Sequence, residues 1–368
     1  MRPATAHLLF RRPTAAVLSS TRSAFSSAPS SAPTHAVTNQ ATPLQDYNAY
    51  SDPAVREGVA AGGGAWATAD LEALGGKVGS AAWQDVAARA QEHPPKLQTH
   101  DRFGNRVDRA VYDPSYHELM GLGVEHGVAS YAWDEDNRGR AGAHVARGAL
   151  MHLMYQLDAG VCCPLTMTYA SVPALRNEPA LADVWIPRVV ARGYDGGDGP
   201  AERKPGATIG MSMTEKQGGS DVRVNTTVAV PVAGGGRGAA YDLVGHKWFT
   251  SAPMSDAFLT LAQIEGDGVS CFLVPRWLPE EDGGGTASAG TAADTATPPH
   301  AMRNAGFQLQ RLKDKLGDKS NASSEVEYNG AKGYLLGDPG RGVRTIVDMV
   351  IHTRLDCTIG SAALMVRH

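Results

Sequence analysis

Apolar residues between Asp46 and about Tyr194 recur at three- and four-residue spacing, the period of a helix with one buried face. The pattern predicts helices over residues 69–90, 116–126 and 143–159, punctuated by Pro94-Pro95 and Asp113-Pro114. A connection rich in Gly, Pro and Asp follows between Tyr194 and Gly206, and the period then changes. From Thr208 to Tyr334 the pattern predicts short strands over 226–232, 241–249, 257–263, 269–274 and 324–328, with glycine-rich turns between them. After Gly342 the helical period returns through Ile346, Met349, Val350, Arg354, Ile359 and Met365, and the sequence reaches His368 without a capping Gly or Pro. The reading is an α+β chain. A helical N-terminal domain over 46–205 precedes an antiparallel β-barrel or sandwich over 206–334, and 335–368 supplies one helix.

A chain of 368 residues with 42% apolar residues is long enough for two or three domains. No apolar run approaches the roughly 18 residues that a spanning helix needs. The net charge of −4 argues against a dedicated nucleic-acid binder. Cys162, Cys163, Cys271 and Cys357 are too scattered for a disulfide framework or a tetrahedral site, the histidines show no metal-ligand spacing, and no metal is expected. Residues 280–300 are a low-complexity run of Gly, Ala, Thr, Ser and Asp, read as a disordered loop between strands.

Residues 1–45 differ in kind. They carry Arg2, Arg11, Arg12 and Arg22, many Ser, Thr and Ala, and no acidic residue before Asp46. Leu8, Leu9, Phe10, Val17, Leu18 and Phe25 are spaced for a weak amphipathic helix. This is the composition of an organellar transit peptide, mitochondrial first and plastid second, with a disordered tail as the plain alternative.

The candidate chemistry lies in Met211-Ser212-Met213-Thr214-Glu215-Lys216-Gln217-Gly218-Gly219-Ser220-Asp221-Val222 and in Val244-Gly245-His246-Lys247-Trp248-Phe249-Thr250-Ser251. Gly218 and Gly219 remove two side chains, so that amides beside Ser220 can approach a bulky anion such as a pyrophosphate. Thr214 can direct a hydroxyl at the pyrimidine edge of an isoalloxazine, where negative charge builds on reduction, while Phe249 and Ser251 supply a stacking face and a further hydroxyl. The plain alternative is a polar turn at 218–221 with Trp248-Phe249 as core packing.

Both segments, in this order and spacing, resemble the flavin-contacting middle domain of the acyl-CoA dehydrogenase family, and most nearly its AidB-like branch of adaptive-response proteins. The resemblance extends to Tyr131-Ala132-Trp133-Asp134-Glu135-Asp136, to Cys163-Pro164-Leu165-Thr166-Met167-Thr168-Tyr169-Ala170, to Arg311-Leu312-Lys313-Asp314-Lys315-Leu316-Gly317 and to Ser320-Asn321-Ala322-Ser323-Ser324-Glu325-Val326-Glu327-Tyr328. It runs from about residue 40 to the last residue. It implies noncovalent FAD, contacted by Met211, Met213, Thr214, Gly218, Gly219 and Ser220 on one segment and by Phe249, Thr250 and Ser251 on the other.

The activity it implies is α,β-dehydrogenation of an acyl-CoA thioester, in which a glutamate takes the α proton while hydride leaves for flavin N5. An electron-accepting flavoprotein and a homo-oligomer, such as a homotetramer, are the implied partners. A four-helix C-terminal domain that carries the base in most members is expected, with 335–368 as its first helix, so the base is expected beyond His368 and the 368-residue chain is expected to be inactive by itself. Where some members have Glu-Arg on the helix matching 349–364, this sequence has Thr353-Arg354. Asp348 and Asp356 are read as solvent or ion-pair residues, and Lys313, Asp314 and Lys315 as a solvated charge run rather than contacts to a CoA phosphate or nucleic acid. The other readings are an AidB-type flavoprotein with a protective, nucleic-acid-associated role and an inactive fragment.

Overall fold

The computed structural model describes residues 38–41, 43–278 and 303–367. The leader expected over 1–45 lies almost wholly outside these residues, and the low-complexity run 280–300 lies wholly outside them.

The N-terminal helices start where a side-chain oxygen takes an otherwise unpaired first-turn amide. Asp52 accepts from Ala54 N to open α1 (Pro53–Ala61). The stretch predicted as one helix over 69–90 is two, α2 (Thr68–Val78) and α3 (Ala81–Glu92), because Ser80 accepts from Trp83 N and begins a new helix. Between α3 and the next helix the chain forms a hairpin of β1 (Lys96–His100) and β2 (Arg106–Val111), with Leu97 opposite Ala110. The hairpin corrects the wholly helical reading of 46–205. Strands this short leave little periodicity, and this pair is held from outside its own sequence: buried Asp108 accepts from Leu309 N at 2.9 Å and from Arg303 Nη1 at 2.6 Å.

Asp113 then caps α4 (Pro114–Glu125). The segment predicted over 143–159 is α5 (Ala143–Leu157), and Asp158 ends it and caps α6 (Ala159–Leu175) by accepting from Val161 N at 2.9 Å. Helix α6 is buried almost all round, so it carries no apolar stripe by which a periodic reading could find it. Helix α7 (Pro179–Val189) packs beside it.

Among the described residues seven strands make one sheet: β3 (Ile209–Ser212), β4 (Val228–Pro231), β5 (Ala240–Ser251), β6 (Ala257–Ile264), β7 (Gly268–Pro275), β8 (Phe307–Leu312) and β9 (Ser323–Leu335). The pairings β5–β4, β4–β6, β6–β7, β7–β9 and β9–β5 close it into a barrel, with β3 bridging β5 and β6 a second time. The pairing is mixed rather than wholly antiparallel. β3 and β4 both run parallel to β6, through Ile209↔Ala257 to Ser212↔Thr260 and through Val228↔Gln263.

Tyr241, Leu243, Phe258, Phe272, Phe307, Val326 and Tyr328 fill the barrel. The outer face of β6 and β7, including Leu259, Leu261 and Leu273, joins Met167, Leu175, Trp185, Ile346 and Met349 in a second core against the helices. Strands covered on both faces read as the near-continuous apolar runs seen at 257–264 and 269–274. Each fully buried side chain of this kind contributes roughly 1.5–3 kcal/mol.

Helix α8 (Gly342–Arg367) returns over α5 and α6. It buries Ile346, Met349, Asp356 and Ala363 on that side and exposes Val347, Ile351, Leu355 and Met365 on the other.

Candidate functional site

The segment after β3 lies alongside the second half of β5. Trp248 N donates to Thr214 O at 2.7 Å, Lys216 N donates to His246 Nε2 at 2.9 Å, and Asn225 Nδ2 donates to Met213 O at 3.0 Å. At the turn, Gly218 N donates to Glu215 O and Gly218 holds φ +125°, a conformation that favours glycine. Gly219 lies against Thr214, where a Cβ would come within 2.6 Å of Thr214 Oγ1. Backbone conformation favours glycine at 218, a Cβ at 219 would displace the Thr214 hydroxyl, and Ser220 beyond them is exposed.

β5 presents its residues through a bulge. Lys247 pairs with Val326 and Thr250 with Ser324, so Trp248 and Phe249 together stand opposite Glu325. The extra residue places two successive aromatic side chains outside the barrel, and Phe249 remains 48% exposed. Ser251 is also outside, with its Oγ 3.1 Å from Ser323 Oγ and within reach of Cys163 on α6, whose thiol burial pushes up in pKa. Thr250 points the other way. Its hydroxyl meets Ser212 Oγ at 2.5 Å inside the barrel, so it can offer a ligand only its backbone. Met211 and Met213 are half-buried against the core between barrel and helices. Thr214, Gly219, Ser220, Phe249 and Ser251 thus stand on two segments held side by side, whereas the Thr250 hydroxyl is withdrawn into the core.

The charged residues nearby are engaged. Lys313 Nζ lies 3.3 Å from the centre of the Trp248 ring and 4.7 Å from that of Phe249, and both Lys313 and Arg311 pair with Glu325. Lys315 donates to Asp318 O and Asn321 O. Lys313 and Lys315 are thus tied to their own loop and strand rather than solvated as expected, which argues against a phosphate-binding role, while Asp314 between them is exposed.

Two constellations depend on partners that the sequence did not pair. Glu215 and Lys247 form an ion pair at 2.9 Å with both side chains at 0% exposure. Glu215 also accepts from Thr226 N, Thr226 Oγ1, Thr227 N, Thr227 Oγ1 and Gln217 Nε2, while Lys247 donates its second bond to Leu261 O at 2.7 Å. Burial alone would raise the Glu215 pKa, but the Thr226 and Thr227 donors and the Lys247 charge outweigh it and hold the carboxyl well below its usual range. Burial pushes the Lys247 ammonium down to about 8 against the pull of Glu215. A legible signal existed, since Lys247 falls on the inward phase of a strand whose Tyr241 and Leu243 face the core.

The second constellation surrounds α8. Arg147 Nη1 donates to both oxygens of Asp356, at 2.5 and 2.6 Å, and Thr166 Oγ1 donates to the same carboxylate. Asp356 is thus an ion-pair residue, one of the two roles expected of it. Thr353 donates its hydroxyl back to Val350 O at 3.0 Å. Beside it the rings of His352, His144, Tyr169 and Trp133 pack together, and burial holds both imidazoles below their usual pKa.

The adaptive response protein AidB N-terminal domain family matches residues 39–196, and the acyl-CoA dehydrogenase middle domain family matches residues 210–331. The putative acyl-CoA dehydrogenase AidB of Escherichia coli (strain K12) is 44% identical over 331 residues, 89% of this chain and 56% of that protein. Acyl-CoA dehydrogenase family member 11 of Caenorhabditis elegans is 31% identical over 314 residues, 81% of this chain and 45% of that protein. The crystal structure of Caenorhabditis elegans ACDH-11 in complex with C11-CoA superposes with a TM-score of 0.73 at 28% identity, covering 90% of this chain and 54% of that one. The chain spans about half the length of these relatives.

Proposed function

The chain belongs to the acyl-CoA dehydrogenase family, pairing an AidB-type N-terminal domain with the family's middle domain, and from that premise we propose that it carries the FAD-facing surface of an oxidoreductase acting on acyl-CoA thioesters. The observation that carries the reading is the bulge at Trp248–Phe249, which turns an exposed ring outward beside the Gly218–Gly219 turn. A flat heteroaromatic with an anionic tail fits this surface. Phe249 offers the stacking face, Thr214 and Ser251 offer hydroxyls to the ring's polar edge, and the turn at 218–220 offers amides and the Ser220 hydroxyl to the anion.

Bound there, the flavin supplies a hydride acceptor for oxidation of the bond between the α and β carbons of the thioester. The side chains described above bind and orient. Thr353, at the helix position to which the resemblance assigns a proton-abstracting glutamate in some members, donates its hydroxyl to Val350 O, and a threonine hydroxyl cannot serve as that base near neutral pH. We therefore assign these residues the flavin and substrate surfaces and no proton abstraction. The composition of 1–45 supports a mitochondrial location.

Two measurements test the reading. Titration of purified protein with FAD should quench flavin fluorescence saturably, and absence of saturation would remove the proposal. Anaerobic mixing of the FAD-loaded protein with short, branched and long acyl-CoAs should leave the flavin's visible absorbance almost unchanged over minutes. Bleaching at about one per second or faster would place a competent base within this chain.

A further inference from the structure

Beneath the two segments proposed to face the flavin lies a fully buried ion pair that joins one to the other, Glu215–Lys247. Thr214 precedes Glu215, and Trp248 and Phe249 follow Lys247, so each member of the pair sits next to a residue of the proposed site. The pair lies at the centre of a ladder. Thr214 O accepts from Trp248 N on one side of it, and Lys216 N donates to His246 on the other. Glu215 ties in the connection that leads into β4 through both Thr226 and Thr227, and Lys247 ties in β6 through Leu261 O. The Glu215 carboxylate is saturated with donors inside the protein, so its partners fix where it lies to within hydrogen-bond tolerance.

We propose that Glu215 and Lys247 are positioning residues that set the separation and register of the Thr214–Ser220 and Trp248–Ser251 segments, so that both meet one flavin at once. The physical reason is that a bulge and a glycine turn are each locally permissive. Neither fixes the distance between a hydroxyl on one segment and a ring on the other. A charged, fully donor-matched contact does so, because any slip of either segment leaves a buried charge unpaired.

The inference rests on the flavin reading, and the experiment separates the two. FAD affinity, the visible spectrum of the bound flavin and amide exchange over residues 211–222 and 246–251 are measured for the wild type, Glu215→Gln and the double variant Glu215→Gln/Lys247→Met. If the wild type does not bind FAD, the flavin reading fails, whereas the positioning role still requires faster exchange over the two segments in both variants, beyond the change at the Thr226 and Thr227 amides that donate to Glu215 directly. If the wild type binds, the double variant, which leaves no unpaired charge, is expected to keep its melting temperature within a few degrees while its affinity falls by about tenfold and the flavin band loses its protein-induced shift. A folded double variant with wild-type affinity, spectrum and exchange would overturn the proposal. Should either variant fail to fold, Thr226→Val removes one hydroxyl donor to Glu215 from an exposed residue, and unchanged segment exchange in that variant would overturn it equally.

Discussion

Arg147 and Asp356, 209 residues apart, form an ion pair whose side chains are only 2% and 3% exposed. Arg147 lies on α5 and also donates its Nε to Val128 O at 2.8 Å, while Asp356 lies on α8 and also accepts from Thr166 on α6. One carboxylate thus pins the last helix to two helices of the N-terminal region. Asp356→Ala strands a buried guanidinium and should cost about 3–5 kcal/mol in urea unfolding. Arg147→Met/Asp356→Leu, which removes both charges, should cost clearly less. A single-variant loss below about 1 kcal/mol would mean that water reaches the pair.

The bulge on β5 divides neighbouring residues between two roles. Phe249→Ala should weaken FAD by about tenfold, the order of a lost stacking contact, with little change in melting temperature. Thr250→Val should do the reverse, because its hydroxyl bonds Ser212 inside the barrel and its removal leaves that partner short by about 1–3 kcal/mol. Equal effects of the two changes on FAD would contradict the assigned directions.

Gly219→Ala tests the turn. The new Cβ would meet Thr214 Oγ1 at 2.6 Å, and the threonine must rotate away because it is the nearer movable group. The expected result is a loss of FAD affinity of about fivefold or more with a stability change of about 1 kcal/mol or less. FAD affinity equal to that of the wild type would show that the Thr214 hydroxyl does not contact the ring.

Glu215 should leave a signature in acid. Its folded pKa lies below the unfolded value of about 4.3, so its contribution is fully present above that pH and is lost as pH falls below it. Melting temperature should therefore drop below about pH 4, and Glu215→Gln, less stable at neutral pH, should show a shallower drop over the same range. Parallel acid profiles for the two proteins would assign the acid sensitivity to other carboxylates.

The sequence by itself determined the order of helix, barrel and helix, because core-facing helices and two-sided strands leave periods of different length in the apolar pattern. It also determined the composition of the candidate site. Gly218-Gly219-Ser220 and Trp248-Phe249-Thr250-Ser251 carry their chemistry in contiguous residues, so no long-range contact is needed to see it. What it left open depends on partners distant along the chain. The β1–β2 hairpin is held through Asp108 by Leu309 and Arg303, and β3 and β4 find parallel partners in β6, relations that no local alternation encodes. Which of Phe249 and Thr250 faces outward was settled by one bulged residue, and a one-residue change of register reverses every side chain beyond it. The Glu215–Lys247 and Arg147–Asp356 pairs belong to the same class: a charge in a sequence looks solvated until the fold removes water from around it and supplies its partner.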